Sequence, residues 1–143
     1  AKKLGATHVI NIREKDVNEE ISRITSGQGV DSAFETAGNP KALQSALLSV
    51  KRGGKLAIIG LPAQDEVGLN IPFISDYEVA IYGIFRYANT YPQGIKFLNS
   101  RIADVRSIIT DRYPLEQTAE AMEQARTNKE ESIKFVVYPN GIE

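Results

Sequence analysis

The sequence predicts an α/β fold built on a parallel sheet, and three observations predict it. Short runs of β-forming residues alternate with stretches whose apolar residues recur at helical spacing. The clearest run, Leu56-Ala57-Ile58-Ile59, is continuously apolar, as in a strand covered on both faces. Three runs end in loop formers, Thr36-Ala37-Gly38, Gly60-Leu61-Pro62 and Phe85-Arg86-Tyr87. Alternation of this kind is the signature of βαβ units joined by right-handed crossovers.

Each element has its own warrant. Gly5, after a short basic segment, reads as the residue just past a helix carboxyl end. Residues 7–12 are apolar enough for a strand. Asp16-Val17-Asn18-Glu19 is a capping-box pattern, and Val17, Ile21 and Ile24 continue it at helical spacing, so a helix is expected over 16–25. Gly27-Gln28-Gly29 is a turn, and 30–37 is a strand. Asn39 caps the next helix with Pro40 at its first position. Leu43, Leu47 and Val50 line one face of it, and Gly53-Gly54 is expected to end it. A strand follows over 56–59.

A loop carrying Pro62 and Pro72 leads to a strand over 78–85. The stretch 90–100 is expected to be a helix with Ile95 and Leu98 facing inward. A short strand is expected over 107–110 and a helix over 115–127, with Ala119, Met122 and Ala125 or Arg126 on adjoining faces. The last strand covers 133–137.

The 143 residues suffice for a domain with a real core. Seventeen basic residues against eighteen acidic ones leave no basic stripe for a nucleic acid. No apolar run approaches the ~20 residues of a membrane-spanning helix, and no leader peptide is visible. The expectation is a soluble, cytoplasmic protein. The sequence has no cysteine and one histidine, His8. Thiolate metal sites and disulfides are therefore excluded, and His8 has no partner at ligand spacing.

In a parallel sheet, ligands sit beyond the carboxyl ends of the strands. Small residues at two of those ends would let a flat ligand approach the backbone. Thr36 offers a hydroxyl, and the main chain around Gly60 and Ile84 is placed to pair with an amide. Gly27-Gln28-Gly29 is no phosphate loop, because it precedes a strand and lacks a third glycine. Glu35, at a strand end, is read as an acceptor for a loop amide rather than as a catalytic acid. No Ser/His/Asp set or paired-carboxylate site can be assembled.

Several stretches resemble one family when taken in order: Leu4-Gly5-Ala6-Thr7-His8-Val9-Ile10-Asn11, Gly29-Val30-Asp31, Glu35-Thr36-Ala37-Gly38, Gly53-Gly54-Lys55 through Gly60-Leu61, and Tyr113-Pro114-Leu115. That family is the medium-chain zinc-dependent alcohol dehydrogenases. Phe85-Arg86-Tyr87-Ala88-Asn89-Thr90-Tyr91-Pro92 narrows the resemblance to the polyol branch, the sorbitol, xylitol and L-iditol dehydrogenases.

The resemblance implies a partial Rossmann-type doubly wound sheet that lacks its first strands, over 1–107. A carboxyl-terminal segment, 108–143, would return to an absent catalytic domain. It implies NAD as cofactor, with the strand that separates NAD from NADP absent, and a catalytic zinc whose ligands are also absent. Thr36 and Ala37 would lie along the cofactor, and Ile59, Gly60 and Leu61 would flank the nicotinamide ribose. Ile84, Phe85 and Arg86 would meet the nicotinamide, while Arg86 and Tyr87 reach the polyol. Arginine and tyrosine suit a substrate made of hydroxyls. The resemblance also implies a homo-oligomer joined through the strand 78–85.

The chain would then be a carboxyl-terminal piece of a longer enzyme, inactive alone. Two alternatives stand beside this reading. One is a non-catalytic nucleotide-binding or assembly module. The other is a zinc-free quinone reductase, which the Arg86 and Tyr87 pair opposes because a quinone gives it little to bond.

Overall fold

Three parallel strands in the order β1-β2-β3 carry the candidate residues: β1 (Val30–Glu35), β2 (Val50–Ile58) and β3 (Ala80–Gly83). The computed structural model describes residues 1–102, 104–128 and 130–141. It divides into two units, one spanning His8–Ala88 and the other Ala1–Thr7 with Asn89–Glu143.

The first unit contains α1 (Val17–Ile24), α2 (Pro40–Leu48) and α3 (Ile71–Asp76) beside its sheet. Two of these helices begin where the sequence predicts. The Asp16 side chain accepts from the Glu19 N–H at 3.0 Å. The Asn39 side chain accepts from the N–H groups of Lys41 and Ala42, with Pro40 in the first turn, where its missing N–H costs nothing. Helix α3 lies inside the expected loop. Its signal is Asn70, whose side chain accepts from the Phe73 N–H at 3.0 Å, followed by Pro72. Six residues are too few for a periodic apolar face, so the pattern did not reveal it.

The core is Leu43, Leu47, Val50, Leu56 and Val79, with Phe73, Ile74 and Tyr77 of the α3 region packed against it. Full burial of each aliphatic side chain contributes roughly 1.5–3 kcal/mol. Contrary to expectation, Gly53-Gly54 does not end α2. The helix stops at Leu48, and β2 already runs through both glycines. Gly54 is buried, and a Cβ there would fall 2.4 Å from the Val50 side chain.

Strand β3 is shorter than expected, beginning at Ala80. Residues 7–12 form no strand. A β ladder requires a neighbour, and β1 pairs only with β2 among the described residues.

In the second unit, β4 (Ile109–Pro114) pairs in parallel with β5 (Lys134–Tyr138), and α5 (Thr118–Thr127) connects them. The Thr110 hydroxyl accepts from the N–H groups of Ile133 and Lys134, and the rings of Tyr113 and Phe135 stack. The strand expected over 107–110 is displaced, since Val105–Ile108 is a 3-10 turn and pairing begins at Ile109. Helix α4 (Tyr91–Asn99) forms as expected, but Ile95 and Leu98 remain exposed instead of facing a core. On α5, Ala121 is the buried residue and Met122 stays exposed.

Candidate functional site: the carboxyl rim of the parallel sheet

Glu35, Ile58 and Gly83 stand on one rung of the sheet. Glu35 is in register with Ile58, and Ile58 with Gly83. The three chains therefore leave the sheet side by side. This brings together Thr36 and Ala37 after β1, Ile59, Gly60 and Leu61 after β2, and Ile84, Phe85, Arg86 and Tyr87 after β3. All nine candidate residues lie in the His8–Ala88 unit.

Main-chain bonds fix these ends to one another. The Glu35 carbonyl accepts from the N–H groups of Ile59 at 2.8 Å and Gly60 at 3.0 Å. The Ile58 carbonyl accepts from the Ile84 N–H at 2.9 Å. The main chain around Gly60 and Ile84 was expected to pair with an amide, and the N–H groups of both residues are committed inside the protein. What those two residues retain for a ligand is their carbonyl oxygens.

The first two loops also touch through glycine. A Cβ on Gly60 would fall 2.1 Å from the Gly38 nitrogen, and one on Gly38 would fall 2.4 Å from the Leu61 carbonyl oxygen. Gly38 has φ of +65°, a conformation that side chains with a Cβ rarely adopt. Gly60 is buried, while Thr36, Ala37, Ile59 and Leu61 are exposed around it. The result is a shelf at the two glycines, with the exposed Thr36, Ala37, Ile59 and Leu61 at its margin.

Glu35 closes the arrangement from beneath. It is 4% exposed, and its Oε1 accepts from the N–H groups of Ala37 at 2.8 Å and Gly38 at 2.9 Å. The expected role as a loop-amide acceptor holds, and it extends to two amides. Gly38 was not among the candidate residues, although the string Glu35-Thr36-Ala37-Gly38 carries both the acceptor and the turn it binds.

The third loop differs in character. Ile84, Phe85, Arg86 and Tyr87 are all exposed. Arg86 has φ of +55°, unusual for a residue with a side chain, and its guanidinium lies over the Phe85 ring at 4.8 Å from the centroid. A strained backbone that carries a cation at a strand end is a feature of binding sites.

A separate groove of about 760 Å³ runs along the outer side of β1, lined by Val17, Ile21, Ala33, Phe34, Ala42 and Ala46. Its walls are mostly apolar. Of the rim residues only Ala37 reaches it.

The residues do not fit a metal. Among the described residues no group of three or more His, Cys, Asp or Glu side chains could hold one, and His8 is exposed. No helix among the described residues is long and apolar enough to cross a membrane.

Comparison with known proteins agrees with this geometry. The profile of the zinc-binding dehydrogenase family matches residues 1–100. A sorbitol dehydrogenase of Bacillus subtilis is 66% identical over 140 residues, which is 98% of this chain and 40% of that protein. An Escherichia coli oxidoreductase of unknown specificity superposes with a TM-score of 0.88 at 37% identity, over 95% of this chain and 39% of that one. The 2R,3R-butanediol dehydrogenase of Bacillus subtilis gives 0.81 at 26% identity, over 95% and 39%. The chain thus spans about 40% of the length of these relatives.

Proposed function

The chain belongs to the zinc-binding dehydrogenase family, and from that membership we propose that it is the cofactor-binding portion of an NAD-linked polyol dehydrogenase. The reaction is conversion of a secondary alcohol to a ketone by hydride transfer. The observation that carries this reading is the 66% identity to a sorbitol dehydrogenase along almost the whole chain. The exposed loops beyond the three strand ends support it.

Thr36, Ala37, Ile59, Gly60 and Leu61 would hold the nicotinamide end of NAD, with Ile84 and Phe85 beside it. When bound, NAD would supply the acceptor for the carbinol hydride, with the hydroxyl proton passing to solvent. This chain's residues orient the ring and hold water off one face of it. Arg86 and Tyr87 bind the polyol: the guanidinium gives several fixed donors, and the phenol both donates and accepts. A site built to bond hydroxyls rejects analogues that lack them. The zinc in the family's name finds no ligand set among the described residues.

The 143-residue chain alone is inactive and binds no catalytic zinc. Its affinity for NAD is weaker than micromolar, because no glycine-rich turn grips the diphosphate. The protein forms a homo-oligomer through the edge strand that contains β3.

The test is to express the complete gene product and supply NAD with sorbitol, xylitol or L-iditol. NADH formation with at least one of them is the expected result. Failure to oxidise any polyol with either NAD or NADP overturns the reading.

A further inference from the structure

Glu35 is the buried ionisable side chain that the reading above leaves without a task. It is also the residue that holds two loops at once. Its main-chain carbonyl accepts from Ile59 and Gly60, and its side chain accepts from Ala37 and Gly38. Four N–H groups from both sides of the shelf therefore converge on one residue. The other carboxyl oxygen, Oε2, lies 2.6 Å from where a Cβ on Gly60 would stand, so the side chain fills the space directly beneath that glycine.

We propose that Glu35 is a positioning residue for the nicotinamide end of the cofactor, acting through the two loops it ties together and not by contact with the ligand. Resting on the proposed dehydrogenase function, this assigns a residue outside the nine rim candidates to the alignment of the reacting ring.

The physical argument has two steps. The Thr36-Ala37-Gly38 turn has a left-handed glycine and few main-chain partners of its own, so its position depends on the Glu35 side chain. If that acceptor is lost, two part-buried N–H groups seek water, and the turn lifts away from Gly60. The shelf then loses the close approach of Gly38 to Gly60 that forms it. A hydride donor and acceptor must be held in an aligned near-attack geometry, so a lifted turn weakens the aligned complex. The adenosine and diphosphate end of the cofactor has no part in the shelf and should not sense the change.

That asymmetry gives the experiment. In the complete gene product, dissociation constants for NADH and for ADP-ribose, which lacks the nicotinamide, are measured for the wild type, Glu35→Ala and Glu35→Gln. Glu35→Ala is expected to weaken NADH about tenfold, the order of one net hydrogen bond, with ADP-ribose unchanged. Glu35→Gln keeps one acceptor oxygen and should fall between the two. If Glu35→Ala does not fold, Glu35→Gln carries the comparison, with a smaller loss confined to NADH. Wild-type affinity for NADH in the folded variants overturns the proposal. So does an equal loss for both ligands, which marks a merely structural role. A wild type that binds neither ligand instead sinks the dehydrogenase reading, and the role of Glu35 falls with it.

Discussion

The Gly60 amide donates to the Glu35 carbonyl at 3.0 Å, and a Cβ on Gly60 would come within 2.6 Å of Oε2 of that same glutamate. Two strand ends are thus joined at a contact that only glycine permits. Main-chain atoms of Gly38 block the remaining side, so no rotamer change can relieve an added methyl group.

Gly60→Ala should therefore destabilise the protein by about 2 kcal/mol or more, the upper part of the range for overpacking a tight site. Gly83→Ala is the control. It lies on the same rung, but its Cβ would meet nothing within 4 Å. Urea unfolding midpoints should separate the two variants clearly. Equal midpoints would show that the β1 and β2 loops can part without cost.

Arg86 combines a side chain assigned to the polyol with a left-handed backbone, and two substitutions separate these contributions. Arg86→Gly should be more stable than Arg86→Ala by ~1 kcal/mol, because glycine adopts positive φ without steric cost. Both should lose polyol kcat/KM by about ten- to a hundredfold, the value of hydrogen bonds to a charged group. Affinity for NAD should change far less. Equal losses for polyol and NAD would mean that Arg86 serves the cofactor instead.

Much of this rim was legible in the sequence. The loop formers after three apolar runs fixed where the strands end, and a parallel sheet then required those ends to lie together. The inward-facing assignment of Ile95 and Leu98 failed for a physical reason: helical periodicity marks an apolar face but not what covers it. The segment 7–12 failed similarly, since β propensity describes fit to a sheet and supplies no neighbour. The double role of Glu35 was half visible. A glutamate two residues before a small-residue turn predicts an amide acceptor, but nothing in the sequence reveals that its carbonyl also receives the β2 loop.

Glu20, in the first turn of α1, is the site of a predicted pH effect. Hydrogen bonding from Arg23 at 2.8 Å, with Lys15 at 3.1 Å on its other side, lowers its pKa below the ordinary 4.5. A carboxyl group depressed in the folded state contributes stability above its ordinary value and loses that contribution as pH falls through the lowered one. The Glu20 carboxyl should accordingly titrate by NMR below 4.5. Arg23→Gln should move the midpoint upward more than Lys15→Gln does. A larger effect from Lys15 would reverse the assignment of the principal partner.

The edge of the sheet carries the last prediction. Among the described residues, strand β3 pairs with β2 on one side only, and its exposed residues include Ile81 and Tyr82. The alternation of a β-strand tells which amides face outward. The Ile84 N–H donates to the Ile58 carbonyl, so the even-numbered residues of the strand aim their amides at β2, and Ile81 and Gly83 aim theirs away. An apolar edge with free donors invites another strand unless charge, proline or a bulge blunts it. None of the four β3 residues is charged or proline. Antiparallel pairing with a second copy across a two-fold axis would satisfy both edges and close the assembly. Ile81→Pro removes an outward donor and leaves the β2 ladder intact, a placement in which an edge strand tolerates proline. It should convert a dimer into a folded monomer in size-exclusion chromatography with light scattering. Tyr82→Pro removes an inward donor and should unfold the sheet instead. A wild type that stays monomeric when concentrated sinks the idea, and so does a dimer that survives Ile81→Pro with its circular dichroism unchanged.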